Sequence, residues 1–189
     1  MCGLFGFAGT QAHDGATLAL AASLASRRGP DSWGMLADGR RFANIGRLKP
    51  GQVNGLAPSL RVLGHCRLAT VLGTKTVDGC QPIQVGRWAI THNGTVMNVP
   101  DLQRRFGFEL RTGVDSEAIA HLLGAFSPDL ATVMRAVEHG GHFAVVAMNL
   151  DSGRVAMMAQ GLPLWRLDRA DGAYWCSVRP GDGWEPLHA

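Results

Sequence analysis

The chain has 189 residues, 46% of them hydrophobic and 17% charged, with a formal net charge of +3; this composition suits one domain with a packed core and argues against disorder. The basic residues are scattered, with Arg27-Arg28, Arg40-Arg41 and Arg104-Arg105 as pairs rather than a run, so nothing supports a nucleic-acid partner. No apolar run approaches the ~20 residues of a membrane span, and no basic segment precedes the apolar N-terminus as in a secretory signal; a cytoplasmic protein with no membrane partner is expected.

Residues 3–8 (Gly-Leu-Phe-Gly-Phe-Ala) read as a short buried strand whose two glycines imply close approach to its backbone. Asp14 is placed to cap a helix from Ala16 to about Arg27, which Arg28-Gly29-Pro30-Asp31 breaks. Strands 33–37 and 41–47 follow, joined by an Asp38-Gly39 hairpin turn. Residues 48–58, with Pro50, Gly51, Asn54, Gly55 and Pro58, mark a loop. A strand runs from Leu60 to about Cys66, a second loop reaches Gln81-Pro82-Ile83, and strand 87–92 ends at His92-Asn93-Gly94. Pro100 suits the first turn of a short helix ending near Gly107. Asp115-Ser116-Glu117 opens a longer one, with Asp115 as an N-cap and Ile119, Leu122, Leu123 and Phe126 at helical spacing. Ser127-Pro128 opens a third, to about His139. Residues 142–150 form a buried strand that turns at Asp151-Ser152-Gly153 into 154–159. A hairpin of 163–168 and 173–178 turns at Ala170-Asp171-Gly172. The Pro/Gly-rich residues 179–189 read as a loose tail behind a single domain with its core over 2–178.

Strands, then helices, then strands again, with hairpin connections, predict an α+β fold in which two antiparallel sheets pack together and helices lie outside. Cys2, Cys66, Cys80 and Cys176 form no C-x-x-C pair and no Cys/His cluster has zinc spacing, so no metal site is expected. His139 and His142 flank Gly140-Gly141 and read as turn residues.

The chemistry concentrates at Met1-Cys2-Gly3. Met1 stands before a small side chain, and its removal would leave Cys2 with a thiol and an α-amine on one Cα. An amine titrating near ~7.7–8.0 can take a proton from a thiol near ~8.5, and the thiolate is the nucleophile. Further polar clusters fall at expected strand ends and helix starts: Arg28-Gly29-Pro30-Asp31, His65-Cys66-Arg67-Leu68-Ala69-Thr70, His92-Asn93-Gly94 with Asn98, and Asp115-Ser116-Glu117.

Each cluster alone is weak. Together and in this order, over residues 2–178, they resemble the glutaminase domain of class II glutamine amidotransferases, which are N-terminal-nucleophile hydrolases. R-G-P-D and Q-P-I look most like asparagine synthetase, and D-S-E looks closer to amidophosphoribosyltransferase. The resemblance implies a four-layer αββα sandwich and a substrate, glutamine, cleaved with no cofactor. It implies Cys2 as nucleophile, with the Asn93 side-chain amide and the Gly94 backbone N–H as oxyanion hole. Arg67 would bind the α-carboxylate through its fork and Asp115 the α-ammonium. Thr70 would add a hydrogen bond, and Arg28, Asp31 and Asn98 would support the site. His65 and His92 are given structural roles. The named enzymes carry a second, ammonia-using domain; none is read here, so a separate synthase subunit is the expected partner. A hydrolase of another γ-glutamyl amide and a non-catalytic binding or regulatory module are the alternatives.

Overall fold

The computed structural model describes residues 1–68 and 76–187. Two antiparallel sheets form its centre. The larger has the order β11-β9-β10-β1-β4-β2-β3, formed by β1 (Gly3–Gly9), β2 (Ser32–Ala37), β3 (Arg40–Ile45), β4 (Arg61–Arg67), β9 (Trp165–Asp168), β10 (Gly172–Cys176) and β11 (Glu185–Pro186). The smaller has the order β5-β6-β7-β8, from β5 (Ile83–Val85), β6 (Trp88–Asn93), β7 (Phe143–Asn149) and β8 (Val155–Gln160). Helices α1 (Gly15–Arg28) and α2 (Pro50–Asn54) accompany the larger sheet; α3 (Val99–Phe106), α4 (Glu117–Ala125) and α5 (Leu130–Ala136) cover the smaller.

Side-chain alternation along the strands generates three separate apolar layers. Phe5, Phe7, Val62 and Cys66 meet Leu18, Ala21, Ala22 and Ala25 of α1. Leu4, Leu36 and Leu63 point the other way, against Ala89, Ala144, Val146 and Met148 of the smaller sheet. Ile90, Val145 and Ala147 face Ile119, Leu122, Leu130 and Val133 of the outer helices. These layers make the expected αββα sandwich.

The glycines of β1 do what their position in a strand suggested. A Cβ on Gly3 would lie 2.1 Å from the Ala25 carbonyl oxygen of α1, and one on Gly6 would lie 2.3 Å from both the Trp175 ring and the Val62 carbonyl oxygen. Gly6→Ala is therefore expected to destabilise the fold by about 1–3 kcal/mol, as over-packing does; a thermal melt checks it.

Local signals explain several boundaries. Asp14 accepts the Thr17 N–H at 3.1 Å and starts α1. Asp38 and Gly39 take φ of 43° and 81°, the paired positive values of a tight hairpin turn, and the Asp38 carboxylate accepts the Leu60 and Arg61 N–H groups. Other expectations need correction. The 48–58 loop contains α2, held by buried Leu48 and Val53. The second loop ends in strand β5, which hairpins into β6. Asp129, not Ser127-Pro128, caps α5, accepting the Thr132 N–H at 2.9 Å. The tail is not loose over its described part: Trp184 is buried against the α1 side of the large sheet, and Glu185 and Pro186 pair with Arg166 and Trp165. A single buried indole outweighs the Pro/Gly composition around it.

Candidate active site

Strand parity brings the first residues of the site together. Cys2 lies two positions before Leu4, Arg67 lies two beyond His65 and four beyond Leu63, and Asn93 lies four beyond Ala89. Leu4, Leu63 and Ala89 all face the layer between the sheets, so Cys2, Arg67 and Asn93 reach the same end of that layer. Gly3 pairs with Cys66, which sets Cys2 beside Arg67 across β1 and β4. From the opposite sheet, Asn93 Nδ2 donates to the Cys2 carbonyl oxygen at 3.3 Å. The Cys2 thiol points toward the Leu68 carbonyl oxygen, 3.8 Å away.

The loop that follows Asn93 is held at several points. Gly94 takes φ +147°, and a Cβ there would lie 2.7 Å from His92 Nε2 and 3.0 Å from the His142 carbonyl oxygen; both the backbone angle and the crowding demand glycine. Asp115 accepts the Val96 N–H at 2.7 Å through Oδ2 and the Ser116 N–H at 2.9 Å through Oδ1. It is not the N-cap of α4, a position that Ser116 fills; its carboxylate instead ties the post-Gly94 loop to the start of that helix. Asn98 fastens the same loop to the end of α5, donating to the Ala136 carbonyl and accepting the Glu138 N–H, each at 3.0 Å.

Arg28 and Asp31 lie beside the first residues of β1 and the last of β4. Arg28 donates to the Ser177 carbonyl at 2.8 Å and its Nη2 lies 3.3 Å from Met1 Sδ. Ser177 in turn brackets Leu4, accepting its N–H on Oγ and donating its own N–H to the Leu4 carbonyl. Asp31 donates its N–H to the Arg67 carbonyl at 3.0 Å. The Arg67 Nη1 lies 3.6 Å from where a Gly79 Cβ would sit, a position that also abuts Val114, the neighbour of Asp115. Thr70 lies outside the described residues. The structure thus gathers Cys2, Arg67, Asn93, Gly94 and Asp115 around one end of the inter-sheet layer, with Arg28, Asp31 and Asn98 at its margins.

Residues 1–159 match the family model described as glutamine amidotransferase domain. The chain belongs to this family.

Its curated relatives include a glutamine–fructose-6-phosphate aminotransferase of Streptomyces coelicolor, 32% identical over 177 residues, covering 85% of this chain and 29% of that protein. An asparagine synthetase of Gallus gallus is 34% identical over 125 residues, 65% of this chain and 18% of that one. This glutamine amidotransferase domain therefore spans less than a third of the length of either relative. Among solved structures, a glutamine phosphoribosylpyrophosphate amidotransferase from B. subtilis superposes with a TM-score of 0.68 at 22% identity, covering 93% of this chain and 42% of that chain. The fold is that of the class II amidotransferases, the N-terminal-nucleophile type.

Burial of the domain's thiol opposes its ionisation. Burial raises the Cys2 pKa, outweighing the Leu68 hydrogen bond and the positive charges of the chain's amine, Arg67 and Arg28, which lower it. Burial, then the charges of Arg67 and His92, takes His65 down to about 3. Burial likewise takes His92 down to about 4, against the pull of Asp115. Bases that weak are poorly matched to proton transfer at neutral pH. Among the described residues, no group of three or more His, Cys, Asp and Glu side chains is placed to hold a metal.

Sequence reasoning assigned no role to Gln81 or Ser116, yet both are buried beneath this loop. Gln81 Oε1 accepts the His92 N–H at 2.6 Å and its Nε2 donates to the His92 carbonyl at 3.1 Å. Ser116 Oγ sits 2.9 Å from His92 Nδ1 and 3.4 Å from both Gln81 Nε2 and Asp115 Oδ1. The Ser116 hydroxyl thus joins His92, Gln81 and Asp115 in one polar cluster.

Proposed function

We propose that this domain hydrolyses the side-chain amide of glutamine through a γ-glutamyl thioester on Cys2. The observation that carries the reading is the Asn93 amide donor 3.3 Å from the Cys2 main chain, reaching the leading end of β1 from the opposite sheet. That arrangement supplies an oxyanion donor next to a sulfur nucleophile.

The mature enzyme in this reading begins at Cys2. Burial disfavours the thiolate, so a proton acceptor on the same residue is the economical means of activation, and a free α-amine is one. The amine takes the thiol proton and the sulfur attacks the amide carbon. The Asn93 amide and the Gly94 N–H hold the oxyanion, each worth about 3–4 kcal/mol in the transition state. The ammonium at Cys2 returns the proton to the leaving ammonia. Water then cleaves the thioester through a second oxyanion and releases glutamate. Arg67 and Asp115 hold the substrate's α-carboxylate and α-ammonium, and Thr70 adds a hydrogen bond. The relatives' names include acceptor chemistry beyond amide hydrolysis, which supports ammonia transfer to a synthase, here proposed as a separate subunit.

Purified protein is expected to release equimolar glutamate and ammonia from glutamine, with Edman sequencing beginning at Cys2 and one glutamyl mass on that residue after acid quench. Active material that retains Met1 overturns the reading. Arg67→Lys is expected to raise KM for glutamine roughly tenfold or more, because a point charge replaces a fork matched to a carboxylate; steady-state kinetics checks it, and an unchanged KM removes that role.

A further inference from the structure

The hairpin of β5 and β6 pairs Ile83 with Ile90, Gln84 with Ala89 and Val85 with Trp88. Continued by the same register, residue 81 falls opposite His92, but the main-chain ladder stops at Ile83. At that point the Gln81 side chain takes over the backbone's role. Its carboxamide accepts from the His92 N–H at 2.6 Å and donates to the His92 carbonyl at 3.1 Å, making the paired bonds of one more rung. The Gln81 main chain is itself wedged against the other sheet: a Cβ on Gly34 of β2 would lie 2.2 Å from the Gln81 carbonyl oxygen.

The rung continues into a network. Gln81 Nε2 also donates to Ser116 Oγ, which lies 2.9 Å from His92 Nδ1 and 3.4 Å from Asp115 Oδ1. Asp115 Oδ2 then accepts the Val96 N–H. One connected set of buried and part-buried hydrogen bonds therefore grips the chain immediately before Asn93 and again two residues after Gly94. Buried carboxamides and hydroxyls tolerate little movement, since a donor or acceptor displaced from its partner stays unsatisfied.

We infer that Gln81, acting with Ser116, is a positioning residue that fixes the His92–Val96 turn and so aims the Gly94 N–H and the Asn93 amide at the oxyanion. The inference rests on the glutaminase reading above and adds two residues to it. Gln81 touches neither Cys2 nor the substrate groups; it acts through His92.

The test compares wild type with Gln81→Met and Gln81→Glu, each first checked for an intact melt, in glutamine turnover and in amide hydrogen exchange. Methionine keeps the length and removes donor and acceptor alike. The expected result is a kcat loss of roughly ten- to a hundredfold with KM held within about threefold, the signature of misplaced transition-state donors, together with faster exchange at the His92 and Val96 amides. Ionised Gln81→Glu presents an acceptor to the His92 carbonyl, whereas its protonated form restores one donor. Its kcat relative to wild type is expected to climb as pH falls from 8 toward about 5.5, because burial raises a glutamate above its ordinary ~4.3. Wild-type kcat and wild-type exchange in Gln81→Met overturn the inference. Should that variant fail to fold, Ser116→Ala removes the shared hydroxyl, and unchanged kcat there overturns it equally. If the wild-type protein does not hydrolyse glutamine, the glutaminase reading alone has failed, and exchange at His92 and Val96 still decides whether Gln81 holds the turn.

Discussion

Cys2→Ala is expected to lower glutamine turnover by at least about 10⁴-fold, as removal of a covalent nucleophile does, while leaving the fold standing. The sulfur's polar contact is a 3.8 Å approach to the Leu68 carbonyl, and Cys2 is only partly buried. Its loss should therefore cost the fold no more than about 1 kcal/mol. The neighbouring structure does not depend on that sulfur. Gly3 is locked beneath the Ala25 carbonyl, and Asn93 grips the Cys2 main-chain oxygen, which alanine retains. Glutamate release and a melting curve, measured on the same preparation, separate the two effects. Substantial turnover in the variant would remove Cys2 from the mechanism.

Asp115→Asn should lower kcat/KM by roughly ten- to a hundredfold, for a different reason. Two backbone N–H groups, those of Val96 and Ser116, address the two oxygens of this carboxylate. Asparagine offers one oxygen and one NH₂, so one N–H faces another donor. Hydrogen bonds to charged groups contribute about 1.5–3 kcal/mol each, and the melting temperature should fall accordingly. Affinity for glutamine should fall separately, through loss of the negative charge proposed to meet the α-ammonium. A substrate lacking the amino group divides these effects. Wild type should discriminate against it by roughly ten- to a hundredfold, the equivalent of one charged hydrogen bond, and Asp115→Asn should not. Equal discrimination by both proteins would leave Asp115 as a loop anchor only.

What could be read in the residues, and what could not, follows from the range of each interaction. Asp14, the Asp38-Gly39 turn and the 3.6-residue spacing of Ile119, Leu122 and Leu123 act within a few positions of themselves, and each element they signal is present. α2, β5 and β11 are too short to show a period; contacts made elsewhere in the chain hold them. The site divides in the same way. Cys2, Arg67, Asn93 and Gly94 stood out by chemical type and order. Asp115 stood out too, as the ammonium partner with a helix cap as the plainer reading, but its tie to Val96, 19 positions away, carries no mark in the sequence. Gln81 and Ser116 escaped because uncharged hydrogen-bonding side chains become informative only once His92 lies between them.

The large sheet ends, among the described residues, in Arg40-Arg41 on β3 and in Glu185-Pro186 on β11. One rim carries paired like charges; the other is two residues long and includes an imino acid with no hydrogen to offer. Neither makes a good template for a neighbouring molecule's strand. Fibril-like growth by edge annexation is therefore disfavoured at both flanks, and substituting Pro186 with a β-branched residue such as valine would be the simplest way to remove that protection at one of them.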